Sequence, residues 1–117
     1  MENKYTATIE KAYNGFNTRN TDAVLKLMAA GVKWPKAFEG GYVTGHEAVR
    51  DYWIRQWSEI NPVVSPVAIT QRPDGRAEVT VHQLVKSLDG TVLFDGNVKH
   101  IYSFDDAGMI TVMDVVA

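Results

Sequence analysis

The apolar residues of this chain change their spacing once. Through about residue 60 they recur every three or four positions, as in helices packed by one face; from about 63 they alternate, as in strands with one buried face. Helices followed by consecutive strands predict an α+β architecture in which an antiparallel sheet lays its apolar face against the helices. The 117 residues suit one domain, 1–117, with no linker, repeat or low-complexity segment, and a chain of this length can bury enough surface to fold without a disulfide or a structural metal.

Tyr5, Ile9, Ala12, Tyr13 and Phe16 form one face of a first helix, which Asn17-Thr18-Arg19-Asn20 ends. Asn20 or Thr21 can cap a second helix with Asp22 in its first turn, a buried stripe of Val24, Leu25, Leu27 and Met28, and Gly31 as its stop; the two helices should form a hairpin. Val32-Lys33-Trp34-Pro35 reads as a short extended segment, followed by a loop at Phe38-Glu39-Gly40-Gly41. Thr44-Gly45-His46-Glu47 has the spacing of a capping box, and Val49, Trp53, Gln56/Trp57 and Ile60 continue as one face of a third helix that Asn61-Pro62 terminates.

A four-stranded meander should follow, at about 63–72, 76–87, 92–104 and 109–116. On its second strand Ala77, Val79, Val81, Gln83 and Val85 share the apolar face. A two-residue turn at Asp89-Gly90, pairing Leu88 with Thr91, sets Gln83 opposite Gly96, Val81 opposite Val98, Val79 opposite His100 and Ala77 opposite Tyr102. Both strands then present their apolar residues on one side, which carries Gln83, His100 and Tyr102 inward. The last turn allows two registers. Pairing Phe104 with Ile110 points Asp114 inward, directly across from His100; pairing it with Met109 puts Met113 there and turns Asp114 out.

Several chemistries are absent. Twelve basic and fourteen acidic residues give a net charge of −2 without like-charge runs, so neither nucleic acid nor a membrane surface is an expected partner. Cysteine is missing, which suits a cytoplasmic location, and no run is apolar enough for a signal peptide or a membrane span. No Gly-x-Gly-x-x-Gly, phosphate loop or Gly-x-Ser-x-Gly elbow occurs. His46-Glu47 begins like a metalloprotease helix, but Arg50 stands where the second histidine belongs, so His46 reads as an exposed first-turn residue and no metal or cofactor is expected.

What remains converges on the sheet. His100 occupies a central inward position where alternation would place Val or Ile, and a buried imidazole needs a hydrogen-bond partner. Gln83 is a second inward polar group, opposite a glycine that leaves space above the sheet. His100 is the candidate general acid/base, oriented by Asp114 in the first register, with Gln83, Tyr13 and Tyr102 positioning a carbonyl or hydroxyl and Trp34, Trp53 and Trp57 as the apolar wall.

The sequence resembles the nuclear transport factor 2-like proteins of the SnoaL-like and ketosteroid-isomerase-like group. The residues that carry the resemblance are Tyr13-Asn14-Gly15-Phe16-Asn17 with Asn20, Leu27-Met28-Ala29 leading to Val32 and Trp34, Gly45-His46-Glu47-Ala48-Val49, and His100-Ile101-Tyr102-Ser103-Phe104 through Asp106-Ala107-Gly108-Met109-Ile110. The resemblance implies a cone in which a curved sheet and three helices enclose an apolar pocket, often in a homodimer formed through the sheet. The isomerase residues do not carry over. Val32-Lys33-Trp34-Pro35-Lys36 holds no carboxylate where that enzyme has its base, its oxyanion-hole Asp falls at His100, and its first-helix tyrosine falls at Ala12, one position from Tyr13.

Two functions stay open. One is a SnoaL-like protein that binds a small, largely apolar ligand (aromatic, polyketide- or terpenoid-like) in an internal pocket, with His-based acid/base chemistry of isomerase, cyclase or hydrolase type. The other is a non-catalytic ligand-binding or dimerisation module, whose homodimer would pair the outer sheet face at His82, Leu84, Ile101 and Ser103.

Overall fold

The computed structural model describes residues 5–36 and 40–116, so Phe38 and Glu39 of the expected loop lie outside the described residues. Three helices, α1 (Thr6–Asn17), α2 (Thr21–Leu25) and α3 (His46–Glu59), cover a six-stranded sheet of β1 (Met28–Pro35), β2 (Tyr42–Thr44), β3 (Ile60–Gln71), β4 (Ala77–Ser87), β5 (Val92–Phe104) and β6 (Ile110–Val116). The strand order is β2-β1-β6-β5-β4-β3. The last four strands form the expected antiparallel meander, and β1 joins the free edge of β6 in parallel.

The second helix is shorter than the sequence pattern predicts. Its apolar stripe is buried at Val24, Leu25 and Met28, but the helix stops at Leu25 and Met28 opens a strand. The free edge of β6 explains this: the Ile110 amide donates to the Leu27 carbonyl at 2.9 Å, and Met28 pairs with Ile110. Asn20 does cap α2, accepting from the Ala23 amide at 3.3 Å. Gly15 lets α1 and α2 approach closely, since a Cβ there would stand 2.5 Å from Val24 Cγ2.

The capping box is likewise not formed. Thr44 pairs with Lys33 in β2, so the helix boundary moves to Gly45, whose φ of 91° suits glycine and which has no side chain to cap with. His46 is half-buried rather than exposed, its Nε2–H donating to the Met28 carbonyl at 2.9 Å.

The β4–β5 register is as predicted, with Gln83 on Gly96, Val81 on Val98, Val79 on His100 and Ala77 on Tyr102. The turn reaches it differently. A three-residue loop closed by Ser87 and Thr91 replaces the two-residue turn, with Gly90 at φ 94°, and an extra residue on β5, Leu93, restores the pairing at Val85–Phe94. The inner face of the sheet, α1 and α3 share one core that includes Ile9, Val49, Trp53, Val79, Val81 and Ile110.

Candidate functional site

The inner face of the sheet and the helices enclose a cavity of about 200 Å³. Its lining is mostly apolar. Trp34 from β1 and Trp53 from α3 meet edge to face with ring centroids 5.2 Å apart, and Phe16 packs on Trp53 at 5.5 Å. Such ring pairs fill space rigidly and leave an apolar wall.

The polar groups are few. Tyr13 projects from α1, and His100 and Tyr102 project from β5 two residues apart, so the pleat puts the last two on the same face. The Tyr102 hydroxyl donates to Tyr13 Oη at 2.9 Å, and Tyr13 Oη stands 2.8 Å from His100 Nδ1. One proton arrangement leaves no hydroxyl idle: Tyr102 donates to Tyr13, Tyr13 donates to Nδ1, and the imidazole carries its proton on Nε2. The opposite arrangement would leave the buried Tyr102 hydroxyl proton without an acceptor. Nε2 makes no hydrogen bond to another described residue.

Burial reinforces this state. His100 is 7% exposed, and desolvation lowers its pKa to about 4, so the ring is neutral at pH 7. Burial raises the Tyr13 pKa well above its ordinary value, with the neighbouring Tyr102 adding to the effect, and burial raises that of Tyr102 as well. All three groups therefore sit neutral, as hydrogen-bond donors and acceptors rather than charges.

Of the residues singled out from the sequence, Tyr13, Trp34, Trp53, Gln83, His100 and Tyr102 line the cavity. Trp57 does not. Its ring packs on Phe16 and Trp53, at 5.3 and 5.9 Å, and the Arg19 guanidinium covers it at 5.0 Å. Asp114 does not reach His100 either. Phe104 pairs with Ile110 as in the first register, but Thr111 is an extra residue, so Met113 falls opposite Tyr102, Asp114 opposite Ile101 and Val115 opposite His100. Met113 and Val115 line the cavity, while Asp114 accepts a hydrogen bond from the Tyr42 hydroxyl. On the outer face Ile101 is already buried within the chain, at 7% exposed, and His82 pairs with Asp95 at 2.6 Å.

The lining also holds residues outside that set, Gln56 and Phe94 among them. Gln56 lies on the apolar face of α3, and Phe94, opposite Val85, falls on the inner face of the same β4–β5 register that carries His100 inward. No aspartate or glutamate among the described residues lines the cavity. Among the described residues no three histidine, aspartate or glutamate side chains group as metal ligands. The arrangement can hold an acceptor oxygen against a neutral N–H donor inside an apolar enclosure.

A family model, the SnoaL-like domain, matches residues 9–113, and the chain belongs to that family. The fold is nuclear transport factor 2-like, as comparison with solved structures shows. TerC co-crystallised with polyporic acid shares 24% identity over 95% of this chain and 88% of its own, with a TM-score of 0.81. A Mycobacterium tuberculosis protein in complex with estradiol-17beta-hemisuccinate shares 16% identity over 97% and 93%, with a TM-score of 0.82. The epoxide hydrolase/cyclase-like enzyme SalBIII, which has a role in pyran ring formation in salinomycin, shares 15% over 97% and 89%, with a TM-score of 0.81. No curated protein matches the chain. No helix among the described residues is long and apolar enough to cross a membrane.

Proposed function

We propose that this chain binds a small, largely apolar, ring-containing molecule in the cavity and holds one of its oxygen atoms on the Nε2–H of His100. The observation that carries the reading is the Tyr102–Tyr13–His100 relay, which ends in a neutral imidazole whose second nitrogen has no partner among the described residues. The cavity volume, about 200 Å³, exceeds the ~150 Å³ in which an engineered apolar cavity holds benzene. Structural relatives crystallised with polyporic acid and with an estradiol ester lend support to ligands of this class.

Proton abstraction by His100 is not part of this reading. A group with a pKa near 4 is a weak base at neutral pH, and among the described residues no carboxylate lines the cavity to orient it. The chemistry open to the site is polarisation of a bound carbonyl by a fixed dipole, a form of electrostatic stabilisation.

Binding of 4-acetylbiphenyl, followed by tryptophan fluorescence since Trp34 and Trp53 wall the cavity, tests the proposal. Saturable quenching is expected in the wild type, with affinity about tenfold lower in His100→Phe. A His100→Phe protein that binds as tightly as the wild type sinks the role given to the imidazole, and a wild type that does not bind sinks the ligand site.

A second use of the fold is a homodimer. It is favoured by the exposure of Val92 and Val116, at 53 and 45%, which stand opposite Lys86 and Lys99 on the outer face of the sheet. Sedimentation equilibrium of the wild type and of Leu84→Glu tests pairing through the outer sheet face; a monomeric wild type removes it.

A further inference from the structure

We infer that the ligand is elongated and carries a second polar group, read by the side-chain amide of Gln83. The inference rests on the cavity being a ligand site and concerns what else its ligand must offer.

Gln83 lines the cavity from β4, four residues beyond Val79, the residue that faces His100 across the β4–β5 pair. Four residues of strand place the two positions about 13 Å apart on the same face. The pair between them is Val81 with Val98, so the floor joining the two polar positions is apolar.

No described residue employs the Gln83 amide. Its cross-strand neighbours are Val64 on β3 and Gly96 on β5, and its same-face neighbours on β4 are Val81 and Val85, none with a polar side chain. It makes no hydrogen bond to another described residue. Alternation would place Val or Ile here, and a half-buried amide among apolar neighbours has no structural use that those residues would not serve better.

Gly96 shapes this end. The Phe94 ring folds over the glycine, with Cζ 3.2 Å from where a Cβ would lie, and Phe94 itself lines the cavity while 42% exposed. An aromatic lip therefore stands beside the amide. At the buried end the Nε2–H of His100 is a donor and takes a carbonyl or ether oxygen. The amide both donates and accepts, and takes a hydroxyl or a second carbonyl. The ligand class that satisfies both is a flat, apolar molecule of two or more linked or fused rings, oxygenated at opposite ends.

The test uses a matched pair, 4-acetylbiphenyl with one polar end and 4-acetyl-4′-hydroxybiphenyl with two. In the wild type the added hydroxyl should tighten binding about fivefold, and in Gln83→Met the ratio of the two affinities should fall to about one. In the wild type, amide-detected NMR should show the Gln83 side-chain NH₂ signals moving with the hydroxylated compound and not with the other, which reads the contact without any substitution. If 4-acetylbiphenyl binds but the hydroxyl adds nothing, or its gain survives in Gln83→Met, the two-ended ligand is refuted and the cavity proposal stands. If neither compound binds, both fall.

Discussion

Tyr13 and His100, 87 residues apart in sequence, meet as hydroxyl oxygen and ring nitrogen at 2.8 Å, and the Tyr13 hydroxyl is in turn the acceptor for Tyr102 at 2.9 Å. Tyr13 therefore decides which nitrogen of the imidazole carries the proton. By accepting from one side and donating to the other, it turns a buried histidine into a single donor facing an apolar space.

The pH dependence of stability follows from this burial. The His100 pKa falls from 6.5 in the unfolded chain to about 4 in the fold, so between those values the unfolded state binds a proton that the folded state does not. Stability is undiminished above pH 6.5 and declines as pH falls toward 4, by about 3 kcal/mol at 1.36 kcal/mol per pKa unit. Urea denaturation at pH 7 and pH 4.5 should show this loss in the wild type and a clearly smaller one in His100→Gln. Equal losses would mean that other groups control acid unfolding.

Tyr13→Phe and Tyr102→Phe should differ although each removes one hydroxyl. Tyr13→Phe leaves both the Tyr102 hydroxyl and His100 Nδ1 without partners, at about 2–3 kcal/mol, whereas Tyr102→Phe removes only the terminal donor, at about 1 kcal/mol. Equilibrium unfolding of the two variants gives the comparison directly. Equal destabilisation would contradict the directional relay.

Gly15→Ala should cost about 2 kcal/mol despite the better helix propensity of alanine, because the new methyl collides with Val24 Cγ2 across the α1–α2 contact. Val24→Ala in the same chain should recover part of that loss, so a double-mutant cycle checks the contact. Strict additivity of the two substitutions would show that the strain lies elsewhere.

Asp114→Asn should leave the His100 ring resonances and the binding of 4-acetylbiphenyl unchanged, because Asp114 lies opposite Ile101 and bonds the Tyr42 hydroxyl. Loss of that carboxylate should instead lower the Tyr42 pKa, which its hydrogen bond to Asp114 raises. Ultraviolet titration of the tyrosines, with Tyr42→Phe as the reference, measures it. A shifted His100 signal would place the carboxylate nearer the cavity than its register allows.

Local pattern alone determined much of this molecule. Period-two alternation and a glycine-containing turn settle which faces of β4 and β5 look inward, because a slip by one residue would turn every side chain over. The pairs Val79–His100 and Gln83–Gly96 were legible for that reason, as were α1, α3 and the inward course of Tyr102.

Only the tertiary structure decided the rest. Residues 28–35 are a strand because the edge of β6, far along the chain, offers hydrogen bonds that end α2 early. Asp114 faces out because one extra residue, Thr111, enters β6, and neither sequence register contains such a bulge. Trp57 and Trp53 look alike on the α3 stripe, yet the packing of Phe16 leaves one behind the wall and the other in it. The partner of His100 comes from a helix whose own periodicity says only that Tyr13 is buried. Short-range periodicity records which side of an element is apolar; edge pairing, bulges and contacts between distant elements are settled when the sheet closes over its helices.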